Sequence, residues 1–291
     1  MSLGRHDLVL CSGTLPRSTP FRLRVEAAAA GGFRGLSLWG RDYAAARQEG
    51  WSDADLAGLL ADHGVEVAEL DPAWWWTPGA GAVTVPPELD PVDVFRFGEE
   101  DLFHVAAAVG ARSLNAADVL GGRWGVEEAA EAFARLCDRA AEHGLLVHLE
   151  WLAWSRIPDM PTAVEVVRRA DRPNGGLTVD LWHCARTGVT PGDLAALAPG
   201  TVLAVQVDDG PGRAEPDLVE ATLHRRLVPG EGDFDVVGYL GALDAAHVDA
   251  PIGVEVFSDE LHALGPLEAA RRAGEATRAV LARVRPGPPS P

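Results

Sequence analysis

Four apolar runs that each carry an oxygen-bearing side chain near their end limit what this chain can fold into. They cover residues 147–151, 177–180, 202–208 and 252–257, and they are rich in valine, leucine and isoleucine, which is typical of buried strands. Burying a carboxylate there is costly unless a partner compensates its charge, and a bound cation is the natural partner. In a barrel of parallel strands these side chains would converge on one mouth, so the pattern predicts a metal site. The predicted ligands are Glu150, Asp180, Gln206 and Glu255.

Strand and helix signals alternate about every 30 residues, which is the rhythm of parallel strands joined by outer helices. The earlier strands are predicted at 8–11, 33–39, 65–70 and 112–116, and the helices at 21–30, 53–63, 91–109, 126–143, 161–170, 191–197, 235–247 and 267–284. This order predicts an α/β protein with the (βα)8 TIM-barrel fold. We expect a single domain over residues 1–284 and a proline-rich, disordered tail over 285–291.

Two long connections interrupt the alternation. The first, residues 71–90, contains Trp74, Trp75 and Trp76, and the second, residues 208–232, ends in Pro-Gly-Glu-Gly. Long connections in compact domains are usually functional. The tryptophan run is expected either to form a substrate lid or subunit contact, or to pack on the barrel rim. Other tryptophans near the strand ends are expected either to pack in the core and on the rim or to form a pocket that stacks on a ring: Trp39, Trp124, Trp151, Trp154 and Trp182.

Charge and composition argue against several classes of protein. A formal net charge of −18 would repel a phosphate backbone, and no lysine- or arginine-rich run offsets it, so nucleic acid is not expected as a partner. No stretch reaches the roughly 18 apolar residues of a membrane span, and the N-terminus lacks the features of a signal peptide. Cys11, Cys137 and Cys184 are odd in number and lack metal-type spacing, which favours a reducing compartment. We therefore expect a cytoplasmic protein with no membrane partner.

The four predicted ligands indicate which metal would bind. Three carboxylates and one amide oxygen are hard ligands, which suit Mn²⁺ or Mg²⁺ best and also allow Co²⁺ or Zn²⁺. The cation would relieve the mutual repulsion of the carboxylates. The sequence therefore predicts one divalent cation at the mouth of the barrel.

Four further residues are candidate substrate contacts. His148 and Asp208 each lie two residues from a predicted ligand, and side chains two apart on a strand share a face. For His148 the alternative is a structural, hydrogen-bonded histidine. Trp182 and His183 follow directly after the strand that carries the second predicted ligand, so they are expected near the mouth, where His183 could touch a substrate oxygen.

The order of these residues resembles the xylose isomerase-like TIM barrels, a family that includes ketose epimerases, hydroxypyruvate isomerases, inosose dehydratases and dehydroshikimate dehydratases. Members show Glu, then Asp-x-x-His, then His or Gln, then Arg before a Pro-Gly-Glu-Gly-like loop, then Glu in an apolar strand. The resemblance implies one divalent cation held by the four ligands, and a homodimer. It also implies substrate contacts by the histidine and the loop arginine. Here the matching positions are Glu150, Asp180 with His183, Gln206, Arg226 and Glu255.

The resemblance leaves two reactions open, and both begin when a carboxylate removes a proton beside a metal-polarised carbonyl. Glu150 and Glu255 are the predicted catalytic pair. If a proton is returned to the substrate, the protein is an isomerase or epimerase of a keto-sugar, cyclitol or related hydroxy-carbonyl compound, which is our first prediction. If the substrate loses a β-hydroxyl instead, the protein is a dehydratase (lyase) of the 3-dehydroshikimate or inosose type, which is the alternative. Many sugar epimerases carry His where this chain has Gln206, whereas the histidine pair usual in the dehydratase is met only in part, by His224 and Arg225.

Two other functions fit the sequence less well. An abasic-site endonuclease uses the same barrel but needs histidines on early strands, where this chain offers Trp39, Glu69 and Asn115. A barrel that binds a ligand without converting it is disfavoured because all four predicted ligands are present. The expected partner is therefore a small-molecule substrate.

Overall fold

Eight parallel strands pair in sequence order, and the last pairs with the first to close a barrel. The computed structural model describes residues 3–85 and 93–285 of the chain. The predicted α/β fold, a (βα)8 TIM barrel, is confirmed. The strands are β1 Leu8–Leu10, β2 Gly35–Leu38, β3 Glu66–Ala73, β4 Ser113–Ala116, β5 Leu146–Leu149, β6 Gly175–Asp180, β7 Val202–Val207 and β8 Ile252–Val254.

Helices return the chain along the outside of the barrel between successive strands. They are α1 Phe21–Ala30, α2 Gly40–Gln48, α3 Asp53–His63, α4 Glu99–Val109, α5 Val126–Glu142, α6 Met160–Ala170, α7 Leu181–Thr187, α8 Pro191–Ala195, α9 Leu218–His224, α10 Val236–Ala245, α11 Asp259–His262 and α12 Pro266–Val284. In α5 the buried residues Ala129, Phe133, Leu136 and Ala140 recur every three or four positions, so they form one apolar stripe. None of the helices in the described part of the chain is both long and apolar enough to cross a bilayer.

Four helices lie outside the predicted set. They are α2, α7, α9 and α11, and they follow β2, β6, β7 and β8 before the chain enters its outer helix. They have between four and nine residues, which is too short for a clear apolar periodicity in the sequence. Because they follow the C-terminal ends of strands, they lie at the mouth of the barrel.

Two predicted boundaries are wrong. β3 continues to Ala73, so Asp71 lies inside a strand and not at the start of the long connection. α4 begins at Glu99, where the Gly98 N–H donates to the Asp101 carboxylate, whereas the prediction began at residue 91. Residues 86–90 of the first long connection, residues 91–92 of the predicted helix 91–109 and residues 286–291 of the predicted tail lie outside the described residues.

Candidate active site

The barrel brings the four predicted ligands to one mouth. Asp180 and Gln206 are paired neighbours in β6 and β7. Glu150 follows the last residue of β5, and Glu255 follows the last residue of β8. All four side chains are buried, with 7% or less of their surface exposed. Parallel strands of a barrel direct their C-terminal ends to the same side, which explains the convergence. Metal binding by these four residues stays a prediction.

Glu150, Asp180 and His183 form a compact group of candidate ligands. One ligand atom from each lies within 4.8 Å of the other two. The His183 Nε2 atom is 3.5 Å from a Glu150 oxygen and 3.6 Å from an Asp180 oxygen. Burial lowers the pKa of His183 to about 4, so its imidazole is neutral near pH 7 and can offer a lone pair. His183, predicted as a substrate contact, is thus equally well placed to bind a cation.

Gln206 adds an oxygen that lacks a partner. Its Oε1 atom is buried and accepts no hydrogen bond from the described residues, while its Nε2 atom lies 3.5 Å from a Glu255 oxygen. A buried acceptor left unpaired costs about 1–3 kcal/mol, and a hard cation would satisfy it. The donors are oxygens and one imidazole, a set that fits a divalent cation such as Mn²⁺, Mg²⁺ or Zn²⁺.

Six buried carboxyl groups crowd the floor of the mouth and the layer below it, and we call them the acid cluster. Burial is the main cause that raises the pKa of Glu150 well above its ordinary value, and the charges of Asp180 and Asp71 add to it. Burial also raises the pKa of Glu69 to about 8. A divalent cation would favour the ionised carboxylates, so the excess of negative charge is a second reason why this floor fits a metal. The acid cluster consists of Glu69, Asp71, Glu150, Asp180, Asp208 and Glu255.

Arg226 pairs with three members of the acid cluster. Its Nη1 atom is 2.8 Å from an Asp180 oxygen, 2.6 Å from an Asp208 oxygen and 3.3 Å from a Glu255 oxygen. The side chain is only 2% exposed, yet it lines the cavity above the floor. The guanidinium predicted to contact the substrate is therefore at the site, and the surrounding carboxylates neutralise its charge.

Asp208 and Trp182 contact Arg226 and do not line the cavity. Asp208 accepts a hydrogen bond from Arg226 at 2.6 Å, and the Trp182 ring centre lies 5.5 Å from the guanidinium carbon. The Trp182 indole N–H donates to the Thr222 hydroxyl at 2.7 Å. Both side chains are fully buried. Both therefore contact the cavity-lining Arg226 and not the cavity itself, and their role in substrate binding stays a prediction.

His148 lies deeper in the barrel than predicted. Its Nδ1 atom is 2.6 Å from the Thr178 hydroxyl, and its Nε2 atom is 3.0 Å from the Ser113 hydroxyl and 3.3 Å from a Glu69 oxygen. Burial lowers its pKa to about 3, so it is neutral. Two residues along a strand correspond to about 6.6 Å, which moves His148 one layer below the floor. The structural alternative for this histidine therefore agrees with its position.

A cavity of about 580 Å³ opens above the acid cluster. Such a pocket, mostly apolar with a few convergent polar groups, is the usual form of a small-molecule site. The polar groups of the acid cluster that line it are Asp71, Glu150 and Glu255. The walls include Trp39, Trp74, Val85, Phe95, Val119, Leu120, Leu152, Trp154, Leu223 and Phe257.

Only part of the tryptophan set contributes to these walls. Of the run in the first long connection, Trp74 lines the cavity, whereas Trp76 is buried and packs edge-on against a ring of α5. Trp75 donates its indole N–H to the backbone carbonyl of Phe95 at 2.7 Å. Trp39 and Trp154 also line the cavity. Packing, one of the two expected roles of the run, is thus observed for Trp76, while a role of the run as a substrate lid or subunit contact stays a prediction.

Asp71 and Asn115 belong to the site but are missing from the predicted set. Asn115 donates from one amide nitrogen to Asp71 at 2.8 Å and to Glu150 at 2.7 Å, so it fixes both carboxylates. Its own oxygen accepts from Thr178 at 3.0 Å. The sequence signal was the alternation of Glu69 and Asp71, which share a strand face. Because the predicted strand ends at residue 70, this alternation is not visible in the prediction.

The second long connection folds over the site through a strap, which we define as Asp209 with residues 225–234. Asp209 and Leu227 exchange two backbone hydrogen bonds of 2.9 Å. The Asp209 carboxylate also accepts from the backbone N–H groups of Gly210, Gly230 and Phe234, at 2.8, 2.9 and 3.0 Å. Arg226 lies next to this bridge, so the strap determines where its guanidinium points.

Replacing Asp209 with alanine is expected to destabilise the protein by about 2–4 kcal/mol, because three backbone N–H groups, one in a buried and two in partly buried hydrogen bonds, lose their acceptor. Urea unfolding monitored by circular dichroism measures the loss. The matched control is Asp233→Ala in the same strap, an exposed residue that accepts one N–H at 2.9 Å, and its effect should be clearly smaller. Equal losses in the two variants would contradict a special role of Asp209 in holding the strap.

Comparison with known protein families matches most of the chain. A family model described as the xylose isomerase-like TIM barrel matches residues 25–281. The crystal structure of an IolI protein with a bound zinc atom superposes with a TM-score of 0.80, covering 96% of this chain and 99% of that one at 18% sequence identity. At such low identity this likeness concerns the fold.

Two relatives with named activities are more informative about chemistry. A 3-dehydroshikimate dehydratase of Pseudomonas aeruginosa is 32% identical over 260 residues, which cover 88% of this chain and 38% of that enzyme. An inosose isomerase of Bacillus velezensis is 25% identical over 159 residues, which cover 54% of this chain and 56% of that enzyme. This chain therefore spans well under half of the length of the dehydratase that it matches.

Proposed function

Because this chain belongs to the xylose isomerase-like TIM barrel family, we propose that it is a divalent-metal-dependent dehydratase of a cyclic hydroxy-ketone of the 3-dehydroshikimate type. The observation that carries the proposal is the group of Glu150, Asp180 and His183 on the floor of the cavity, with Gln206 and Glu255 beside it. The 32% identity to a dehydratase supports a lyase over an isomerase, which reverses the order of the two reactions favoured by the sequence alone.

Each of the two glutamates that line the cavity carries out one of the two proton transfers. A divalent cation bound at the floor would polarise the substrate carbonyl and stabilise the charge of the enolate. Glu255, from β8, removes the proton from the carbon beside the carbonyl. Glu150, across the mouth after β5, gives a proton to the hydroxyl on the next carbon, which leaves as water. The electron pair of the broken C–H bond forms the new double bond, and a ring that already holds one double bond then tautomerises to an aromatic product.

The surroundings of the two glutamates suit this division. Asn115 holds the Glu150 carboxylate by a hydrogen bond of 2.7 Å, so its orientation is fixed before substrate binds. Burial raises the pKa of Glu255 well above its ordinary value, whereas Arg226, 3.3 Å from a Glu255 oxygen, acts in the opposite direction and favours the ionised carboxylate that a base requires. The apolar walls exclude water, which strengthens the electrostatic interactions within the cavity.

An isomerase is the second candidate, and the facing pair of carboxylates favours it. If Glu150 returned a proton to the ring in place of protonating a leaving hydroxyl, the same site would isomerise or epimerise a keto-sugar or cyclitol. The 25% identity to an inosose isomerase is consistent with this possibility. The two reactions share their first step, so their products distinguish them.

The test combines metal analysis with two assays. Protein loaded with Mn²⁺ and desalted is expected to retain about one ion by plasma mass spectrometry and to convert 3-dehydroshikimate to an aromatic acid with strong ultraviolet absorbance. A chelator should abolish turnover, and added Mn²⁺ should restore it. Incorporation of solvent deuterium into a ketose or cyclitol without loss of water would replace the lyase by the isomerase. Loaded protein that converts neither substrate class would refute both.

A further inference from the structure

Arg17 is a cation on the cavity wall whose charge is not paired within the described part of the chain. Two arginines line the cavity, Arg17 and Arg226. Arg226 is surrounded by carboxylates, as described above. Arg17 is half-buried, and across residues 3–85 and 93–285 no carboxylate lies within 4 Å of its guanidinium. Its backbone carbonyl is occupied, because it accepts a hydrogen bond from Arg41.

The electrostatic surroundings of Arg17 favour an added anion. Burial is the main cause that lowers the pKa of Arg17, and the positive charge of Arg41 lowers it further. Asp259 acts in the opposite direction, but its carboxylate is bonded to His224 at 3.0 Å. A half-buried guanidinium with a second arginine nearby gains more from an anionic partner than a solvated surface arginine does.

Arg17 also stands across the mouth from Glu150 and His183, two of the candidate metal ligands. It follows the 3₁₀ turn Ser12–Thr14 directly after β1, whereas Glu150 and His183 follow β5 and β6. In a barrel of eight strands that close in sequence order, β1 and β5 are on opposite sides. Beside Arg17 the wall is aromatic, with Trp39 and Phe257 stacked at a ring distance of 6.5 Å. The cavity therefore carries a cation on the β1 side, across from Glu150, while Glu255 follows the neighbouring strand β8.

We propose that Arg17 binds a carboxylate of the substrate and so selects an anionic hydroxy-ketone over an uncharged sugar or cyclitol. The proposal rests on the dehydratase function proposed above and specifies its substrate class. A guanidinium presents two parallel N–H donors that match the two oxygens of a carboxylate. The ring of such a substrate would lie against the aromatic wall, with its hydroxy-ketone oxygens toward the floor.

Two small molecules that differ only in the carboxylate test this role without turnover. They are 3,4-dihydroxybenzoate, the aromatic acid that loss of water from 3-dehydroshikimate would form, and catechol. Isothermal titration calorimetry would compare their affinities for the Mn²⁺-loaded protein. The unmodified protein is expected to bind the acid at least about tenfold more tightly, as for a hydrogen bond to a charged group. In Arg17→Gln this preference should disappear while the affinity for catechol is kept.

Two further variants serve as controls. Arg17→Lys keeps the charge but loses the paired donors, so an intermediate preference is expected. Arg22→Gln makes the same chemical change on the exposed face of α1, where the side chain is 63% exposed and pairs with Glu26, and it should behave as the unmodified protein. A preference for the acid that survives in Arg17→Gln would overturn the proposal. The absence of any preference in the unmodified protein, including failure to bind either molecule, would overturn it as well.

The outcome separates this proposal from the proposed reaction. Dehydration of 3-dehydroshikimate with an unchanged KM in Arg17→Gln would leave the function standing and remove the role of Arg17. A preference for the acid that depends on Arg17, in a protein that does not dehydrate 3-dehydroshikimate, would keep the carboxylate site and refute the dehydratase.

Discussion

Replacing Glu150 with glutamine is expected to lower kcat by about 10²–10⁴-fold while the protein stays folded, because an amide cannot exchange the proton that the reaction requires. The amide oxygen can still accept the 2.7 Å hydrogen bond from Asn115, so the local geometry is kept. The substitution also removes one carboxyl group from the crowded acid cluster. Unfolding in urea should therefore show no loss of stability, and kinetics on the substrate identified by the proposed assays should show the loss of rate.

Glu127→Gln is the matched control for this prediction. Its side chain is 83% exposed on α5 and pairs with Arg169 at 2.9 Å, far from the mouth of the barrel. It should leave kcat and KM unchanged. If Glu150→Gln kept a tenth or more of the rate of the unmodified protein with the same metal content, Glu150 would not be one of the two proton-transfer groups.

Replacing Arg226 with glutamine is expected to destabilise the metal-free protein by about 3–5 kcal/mol, the usual cost of leaving a buried charge without its partner. Asp180, Asp208 and Glu255 would all lose their paired cation in a site that water barely reaches. Urea unfolding in the presence of a chelator measures this cost. Saturation with Mn²⁺ should reduce the difference, because a bound cation would compensate part of the same charge.

Arg225→Gln provides the control for Arg226, since it changes the neighbouring residue in the same way. The Arg225 side chain is 55% exposed and pairs with Glu215 at 2.7 Å, a surface ion pair worth at most about 1 kcal/mol. A loss of stability in Arg226→Gln that is no larger than in Arg225→Gln would mean that the acid cluster is neutral without its arginine. The charge argument for a cation at the floor would then fail.

The strands that carry the predicted ligands could be identified from the sequence because each obeys a local rule. An apolar run followed by a single carboxylate or amide is visible without any knowledge of contacts, and the repeated spacing of such runs predicts a parallel barrel. Asp180 and Gln206 therefore fall at the strand positions expected of them, in paired register. The fold class depends on many such local signals, which reinforce each other.

The contacts that could not be predicted join distant parts of the chain. Arg226 lies beside the backbone bridge between Asp209 and Leu227, and no local pattern marks that bridge. His183 reaches Glu150 because α7 starts directly at the end of β6, and a helix of seven residues leaves no periodic signal. Asp71 is followed by Pro72, and a proline ordinarily marks the end of a strand, yet β3 continues through it. His148 and Glu150 lie at different depths inside the barrel, and these depths likewise depend on how the sheet closes.

The division between floor and walls has a consequence for how such a protein can diversify. The candidate ligands belong to strand ends, where a change would disturb the packed interior of the barrel. Most of the walls, including Trp74, Phe95 and Trp154, belong to connections at the mouth, which tolerate insertions and substitutions far better. Barrels that descend from one ancestor can therefore change the substrate that they bind while they keep the same residues at the strand ends.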